Sequence, residues 1–182
     1  MNVSMFSNDK TANTVEDVAK NRSQWLHSLG AKKVIELCVG PSLKTLESHY
    51  NSVGIECHGN DIDRRWQVYY PKGKWFIGNC FDGSYLEYDV CIFAPPLSKG
   101  CSGKREDSLQ IDQVFPKYTD FLKMPFKKGL LVLPARSLST REDRKQFYKL
   151  LSTCAAVGNV EYRESLAGRR RIRKYVEILV SK

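Results

Sequence analysis

The spacing of apolar residues alternates along this chain between two periods. Short apolar runs such as 33–39 and 130–133 are typical of buried strands, whereas apolar residues three and four positions apart in 15–29 are typical of an amphipathic helix. Gly and Pro residues fall between such segments and mark turns. The pattern predicts strands at 33–39, 55–60, 75–77, 88–93, 130–133, 160–163 and 175–180. It predicts helices at 15–29, 43–53, 63–70, 107–124 and 140–156, with a break at Pro116.

The order of these segments indicates the fold class. Strands alternate with helices as far as residue 156, which predicts βαβ units and a mainly parallel sheet. The last two strands are joined by a short connection, so they should pair antiparallel as a hairpin. We therefore expect a three-layer α/β sandwich with a mostly parallel sheet of about seven strands and a C-terminal antiparallel hairpin.

Length and composition fit one globular domain, since domains usually have roughly 100–200 residues and this chain has 182. Residues 1–13 are polar and are expected to form a flexible N-terminal arm, followed by a single domain at 14–182. No segment has the ~20 apolar residues of a membrane span, and the start lacks the apolar run of a secretory signal. We expect a cytoplasmic protein with no membrane partner.

The six cysteines and three histidines give no metal-binding pattern, because no CxxC pair occurs and the histidines lack ligand spacing. Most of the cysteines lie in apolar runs, where Cys behaves as a small core residue. We expect reduced thiols and no metal site.

Candidate ligand-binding residues follow the first two strands, and in open α/β sheets ligands bind at the carboxyl ends of strands. Small residues at Cys38, Gly40 and Ser42 let a backbone turn pass close to a ligand, and Glu36 adds an acceptor. Asp61 follows the second strand, where a carboxylate can accept both hydroxyls of a ribose.

Candidate ligand-binding residues also follow the third and fourth strands. Asn79 and Cys80 follow the third strand, where an amide and the backbone can read an adenine edge. The turn 94–98 follows the fourth strand and contains two prolines, which make it rigid and poor in hydrogen-bond donors. Each feature alone has a purely structural interpretation, as a tight turn, a helix cap or a strand end. Their occurrence in order at four strand ends favours a ligand site.

The stretch 34–42, an acidic residue before a Gly-containing turn, resembles the first motif of the class I S-adenosylmethionine-dependent methyltransferases. The resemblance extends from Val34 to the C-terminus and implies S-adenosylmethionine as the cofactor. It implies that Glu36 lies near the methionine ammonium and that Gly40 lies against the cofactor. Cys38 and Ser42 stand where the family has its other glycines, and both are small enough to keep a close backbone approach.

The same resemblance assigns roles at the next two strand ends. Asp61 would hold the ribose hydroxyls, and Ile62 would pack on the adenine. Asn79 would face the adenine amino group beside the backbone of Cys80.

The turn after the fourth strand stands in the place of the family's fourth motif. Members that methylate an exocyclic amino group carry Asp, Asn or Ser, then Pro-Pro, then an aromatic residue that stacks on a flipped base. Here Ala94 and Leu97 replace the polar and the aromatic residue, and Pro95 and Pro96 remain. The Pro95 carbonyl can still orient an amine, and Ser98 is a candidate acceptor. Three interpretations stay open: another target atom, an acceptor from another residue, or a chain that no longer methylates.

The charge favours a polyanionic partner, because 29 Lys and Arg against 20 Asp and Glu give a net +9. Of this excess, +5 lies between Arg163 and Lys182. A solvated basic surface is the simpler interpretation of these charges. The candidate nucleic-acid contacts are Lys99, Lys104 and Arg105 in the loop after Pro96, and Arg169, Arg170, Arg171 and Arg173 in the hairpin.

Together these residues predict methyl transfer from S-adenosylmethionine to RNA or single-stranded DNA, with N-methylation as one form of the reaction. The alternatives are a methyltransferase acting on a protein or small molecule, and an enzyme that consumes S-adenosylmethionine by another route. A methyltransferase-like module that binds nucleic acid or protein without catalysis is a further alternative. The sequence does not indicate an oligomeric state.

Overall fold

Seven strands and four helices form the part of the chain that the computed structural model describes, residues 16–64, 74–95, 114–138, 140–166 and 172–182. The helices are α1 (Glu16–Ser28), α2 (Leu43–Ser52), α3 (Val114–Lys123) and α4 (Arg141–Leu151). The strands are β1 (Lys33–Leu37), β2 (Glu56–Asp61), β3 (Trp75–Ile77), β4 (Val90–Phe93), β5 (Lys128–Pro134), β6 (Ala156–Leu166) and β7 (Ile172–Ser181).

The strands form one sheet in the order β3-β2-β1-β4-β5-β7-β6. The first five strands are parallel, and β7 runs antiparallel between β5 and β6. Parallel connections require crossovers, whereas the β6–β7 pair is a hairpin. The predicted mostly parallel α/β sheet with a terminal antiparallel pair is confirmed.

Two apolar cores lie on opposite faces of the sheet, because alternate strand residues point to opposite sides. On one face α1 and α2 pack against β1, β2, β4 and β5, and Leu26 and Tyr50 are fully buried there. On the other face α3 and α4 pack against β1, β4, β5 and β7, with Tyr118 and Phe121 at the centre. We call these the α1–α2 face and the α3–α4 face.

The last third of the chain differs from its predicted boundaries. Helix α4 begins after Thr140, whose Oγ1 accepts from the Asp143 backbone in a capping box, as the sequence indicates. It ends at Leu151 and not at residue 156, because β6 already begins at Ala156 and pairs with Ser181. Both terminal strands are longer than predicted, since the hairpin pairing continues to Leu166 and Ile172.

Other predicted segments lie outside the described residues. These are the arm 1–13, most of the helix predicted at 63–70, and the first part of the helix predicted at 107–124. The described end of that last helix is α3, in which Pro116 occupies the first turn, where a missing backbone N–H has no intrahelical partner to lose.

A buried guanidinium connects α1 to two distant strands. Arg22 Nη1 donates to Glu36 Oε1 on β1 at 2.9 Å, and Arg22 Nε donates to Glu177 Oε1 on β7 at 2.6 Å. Tyr50 on α2 donates its hydroxyl to the same Glu36 oxygen at 2.8 Å. We call these four side chains the Arg22 cluster. It joins both helices of the α1–α2 face to the sheet.

Burial and the neighbouring carboxylates have opposite effects on the pKa of Arg22 and the same effect on the pKa of Tyr50. Burial opposes the charge of Arg22, but the attraction of Glu177 and then of Glu36 outweighs it and raises the pKa of the guanidinium further. Burial, reinforced by the negative charge of Glu36, raises the pKa of Tyr50, so the phenol keeps the proton that it donates. The cluster is therefore held in its charged, hydrogen-bonded form.

We predict that Arg22→Met lowers the free energy of unfolding by about 3–5 kcal/mol, because two buried carboxylates lose their counter-charge. Equilibrium unfolding in urea, followed by tryptophan fluorescence, measures the loss. The matched control is Lys20→Met, an exposed position on the same helix, for which we expect a change within about 0.5 kcal/mol. Equal urea midpoints for the two variants would contradict this role for Arg22.

Candidate functional site

The parallel strands β1 to β4 end on the same edge of the sheet, at Leu37, Asp61, Ile77 and Phe93. The residues that follow these ends therefore lie along one edge. The sequence-predicted residues on this carboxyl edge that the structure describes are Cys38, Gly40, Ser42, Asp61, Ile62, Asn79, Cys80, Ala94 and Pro95.

The turn after β1 is attached to the end of β2 by a carboxylate. Asp61 Oδ2 accepts from the Gly40 backbone N–H at 2.7 Å, and Asp61 Oδ1 accepts from the Asp63 backbone N–H at 2.8 Å. The backbone N–H of Val39 also donates to the carbonyl of Asn60 at 3.1 Å. Gly40 has φ +54°, a left-handed conformation that glycine adopts without strain. Asp61 thus fixes the turn that carries Gly40.

Two thiols connect the turn after β1 to the turn after β3. Cys38 Sγ and Cys80 Sγ lie 3.9 Å apart. The hydrogen bond with Cys38 lowers the pKa of the Cys80 thiol, against the opposing effect of burial. Cys38 has φ +58°, and it is the one residue other than glycine in the described ranges with a positive φ. It stands where the resemblance expects a glycine, and its backbone adopts the glycine-like conformation.

An apolar side chain and an amide border Asp61 on the carboxyl edge. Ile62 is 57% exposed, which is high for an isoleucine. Asn79 is also exposed, and its Oδ1 accepts from the backbone N–H of Phe81 at 3.2 Å as the cap of a short 3₁₀ turn. A ligand at this edge meets a carboxylate, an open apolar surface and an amide.

Four of the predicted cofactor side chains are buried: Glu36, Ser42, Asp61 and Cys80. Glu36 is 2% exposed, and its Oε1 accepts from Arg22 and Tyr50 in the Arg22 cluster. Ser42 is buried within the 3₁₀ turn Gly40–Ser42. Glu36 therefore has a structural role in the cluster, and its contact with a methionine ammonium stays a prediction.

The fourth-strand turn is described as far as Pro95, and both Ala94 and Pro95 are half-buried at the end of β4. Arg173 lies in β7 opposite Ser165, and its side chain is outside the description. The predicted residues Pro96, Leu97, Ser98, Lys99, Lys104, Arg105, Arg169, Arg170 and Arg171 lie outside the described residues.

Comparison with known proteins gives structural matches alone, since neither a protein-family model nor a curated protein matches the sequence. A putative RNA methyltransferase from Pyrococcus horikoshii is 18% identical, with a TM-score of 0.58 over 91% of this chain and 83% of that one. Magnesium protoporphyrin IX methyltransferase from Synechocystis PCC 6803, solved with bound S-adenosylmethionine, is 12% identical, with a TM-score of 0.58 over 92% and 79%.

A third match is the hMettl16 catalytic domain in complex with a MAT2A 3′UTR hairpin, 13% identical, with a TM-score of 0.53 over 94% of this chain and 73% of that one. All three share the Rossmann-like architecture described above. The chain has the class I S-adenosylmethionine-dependent methyltransferase fold. The methyltransferase fold predicted from the residues at 34–42 and the strand ends that follow is confirmed.

The Arg22 cluster was not predicted from the sequence, although two of its residues are charges at otherwise apolar positions. Glu177 is the one charge in the apolar run 175–180, and Arg22 falls among the apolar positions of its helix. A lone charge in a buried strand indicates a buried partner. The sequence also did not predict the contact of His58, whose Nε2 donates to Glu56 Oε1 at 2.6 Å.

Two kinds of feature are absent from the described residues, a metal-binding cluster and a membrane-spanning helix. No cluster of three or more His, Cys, Asp or Glu side chains there is arranged to hold a metal ion. Within the same ranges no helix has the length and apolar character needed to cross a membrane.

We predict that Cys38→Gly is more stable than Cys38→Ala by about 1 kcal/mol. Both variants lose the contact with Cys80, but only glycine removes the cost of a positive φ, which is about 1–2 kcal/mol for other residues. Urea unfolding of the two variants measures the difference. The control is the same pair of changes at Cys154, where φ is not positive and alanine should be the more stable variant. A Cys38→Gly variant no more stable than Cys38→Ala would refute the argument.

Proposed function

We propose that this protein is an S-adenosylmethionine-dependent methyltransferase that acts on RNA. The observation that carries the proposal is the carboxyl edge of a methyltransferase-fold sheet, where Asp61, Ile62 and Asn79 lie together beside the turn that carries Gly40. Ligands of open α/β sheets bind at this edge.

The donors and acceptors at the edge fit the nucleoside half of S-adenosylmethionine. The carboxylate of Asp61 accepts one backbone N–H on each oxygen. Asp61 would accept the ribose hydroxyls, which is the contact that a carboxylate after the second strand makes with a bound ribose. Ile62 and Asn79 are both exposed, and in this proposal Ile62 would pack on the adenine ring while the Asn79 amide would face the adenine amino group.

The residues at the end of β4 would orient the acceptor. S-adenosylmethionine supplies a methyl group on a positively charged sulfur, and its transfer depends mainly on proximity and in-line alignment. The Pro95 carbonyl can accept a hydrogen bond from an amine, and Ser98 can supply a second acceptor in place of the side chain that Ala94 lacks.

We propose RNA, among the candidate substrates, for two reasons. The chain carries a net charge of +9, and over half of it lies from Arg163 to the C-terminus, which favours a phosphate backbone as the partner. Among the similar folds, one is described as a putative RNA methyltransferase and another is in complex with a 3′UTR hairpin. Single-stranded DNA has the same backbone charge and is the closest competitor.

We predict that Asp61→Ala lowers the affinity for S-adenosylmethionine at least about tenfold, because two charge-assisted hydrogen bonds to the ribose are lost. Isothermal titration calorimetry measures the change. The control is Asp120→Ala, which removes an equal charge from α3, a helix that carries none of the proposed cofactor contacts. Circular dichroism melting of the apo variants separates loss of binding from loss of fold. If calorimetry of the wild-type protein shows no binding heat with millimolar S-adenosylmethionine, the proposed cofactor is wrong.

We predict that tritiated S-adenosylmethionine labels RNA in preference to DNA and protein when the three pools are incubated separately. The variant Arg169→Gln/Arg170→Gln/Arg171→Gln should bind RNA more weakly and with a smaller salt dependence, yet keep the wild-type affinity for the cofactor. The control triple variant Arg141→Gln/Arg144→Gln/Lys145→Gln removes equal charge from the exposed side of α4.

A second candidate function rests on Ala94, which replaces the polar acceptor of amino-methylating relatives. On this alternative the protein binds RNA or a protein partner without catalysis. Cofactor binding with no label in any pool would favour it, and label in DNA or protein would redirect the proposal to that substrate.

A further inference from the structure

Two thiols meet at the carboxyl edge, and the proposed methyl transfer has no use for their sulfur chemistry. Cys38 Sγ and Cys80 Sγ are 3.9 Å apart, although the residues are 42 positions apart in the chain. The connection from β3 to β4 has to pass β2 and β1, because these two strands lie between them in the sheet. This route brings Cys80 against the turn after β1, so the fold itself creates the pair.

Hydrogen bonds hold the backbone beside both cysteines. The carbonyl of Cys80 accepts from the Tyr85 hydroxyl at 2.8 Å. Next to Cys38, the backbone N–H of Val39 donates to the carbonyl of Asn60 at 3.1 Å. Because both segments are attached to the rest of the fold, the two sulfurs are kept close before any reaction takes place. Such proximity favours a reaction between the two groups over reactions with groups elsewhere.

The backbone of Cys38 gives an independent reason to expect a role for its side chain. Its φ of +58° lies in the left-handed region, which glycine adopts without strain and cysteine does not. Strain of this kind is typical of positions where the side chain is needed for function. Glycine would relieve the strain at this position, but it would also remove the sulfur that contacts Cys80.

The pair differs from the other three described cysteines in its chemistry. The hydrogen bond with Cys38 lowers the pKa of Cys80, and the thiolate is the reactive form of cysteine. Burial raises the pKa of the others, which are Cys57, Cys91 and Cys154. Cys38 is half-buried, which leaves a small oxidant access to one member of the pair. An oxidant should therefore react with this pair before it reacts with the other three.

We propose that a peroxide oxidises Cys38 and Cys80 to a reversible disulfide, and that this disulfide weakens the binding of S-adenosylmethionine. One sulfur attacks hydrogen peroxide and breaks its O–O bond, which gives a sulfenic acid and a water molecule. The other sulfur then displaces the hydroxyl group, which leaves as a second water with the remaining thiol proton. The two cysteines are oxidised, and the peroxide is reduced.

The effect on the cofactor rests on the proposed function. A disulfide holds its sulfurs about 2.0 Å apart, so closure from 3.9 Å brings them together by about 1.9 Å. The segments that close carry proposed cofactor contacts, because Asn79 precedes Cys80 and the turn that contains Cys38 is hydrogen-bonded to Asp61 through Gly40. Closure therefore changes the spacing between the groups that would hold the adenosine.

Peptide mapping tests the disulfide without reference to the cofactor. The full-length protein is treated with hydrogen peroxide, alkylated, digested without reductant and analysed by mass spectrometry. We expect a linked pair of peptides that contain Cys38 and Cys80, and we expect dithiothreitol to abolish it. The matched control is Cys154→Ser, which removes a half-buried cysteine outside the pair and should leave this link intact. If no link forms, or if the two cysteines link to other partners, the proposal is wrong.

Calorimetry with S-adenosylmethionine tests the effect of the disulfide on binding. Peroxide should lower the affinity of the wild type and of Cys154→Ser at least about tenfold, and dithiothreitol should restore it. In Cys38→Gly and Cys80→Ser no disulfide can form, so each should have the same affinity before and after peroxide. A disulfide that leaves the wild-type affinity unchanged, or an equal loss in either of these variants, would overturn the proposal.

The two experiments also separate this proposal from the proposed function. A protein that forms the Cys38–Cys80 link but binds no S-adenosylmethionine when reduced would refute the proposed function and leave the disulfide established. A protein that binds the cofactor but never forms the link would refute the disulfide and leave the proposed function in place.

Discussion

The charge of Arg22 holds the α1–α2 face to the sheet, and much else in the structure depends on it. Two carboxylates on strands that are not neighbours, β1 and β7, are buried, and each would be unstable there without a cation. Because Glu36 lies one residue before the end of β1, the same cluster fixes the strand from which the Gly40 turn departs. The Arg22 cluster therefore contributes both to the stability of the fold and to the geometry of the carboxyl edge.

The carboxyl edge is built so that each strand end positions the next. Asp61 attaches the first turn to β2, and the thiols of Cys38 and Cys80 bring that turn against the one after β3. Such contacts between loops preorganise an edge before a ligand arrives, which reduces the entropy lost on binding. A cavity lined by Asn60, Phe76 and Asn79 lies on the side of the sheet where the β3–β4 connection forms no α-helix. One short loop therefore borders two different surfaces.

Features that depend on a few neighbouring residues could be predicted from the sequence, whereas features that depend on contacts between distant segments could not. Apolar runs gave the strands, and turn residues placed the candidate ligand groups at their ends, because both signals are encoded within a few positions. The end of α4 at Leu151 was missed because pairing of β6 with β7 decides it. Arg22 and Glu177 each stand at an apolar position of their element, but the sequence does not show that they pair, because only the fold brings residues 155 positions apart together. The roles of Asp61, Ile62 and Asn79 toward a cofactor stay predictions.

The Arg22–Glu177 bond joins residues 155 positions apart in the chain. On the ribosome the first helix emerges long before the last long strand, so its guanidinium must remain hydrated until β7 is made. Proteins are synthesised at about 5–20 residues per second, which makes this delay on the order of ten seconds. The helices of the α1–α2 face can therefore complete their packing only after β7 has been synthesised. At the same stage the newly made chain completes the Arg22 cluster, and with it the support of β1 beneath its binding edge.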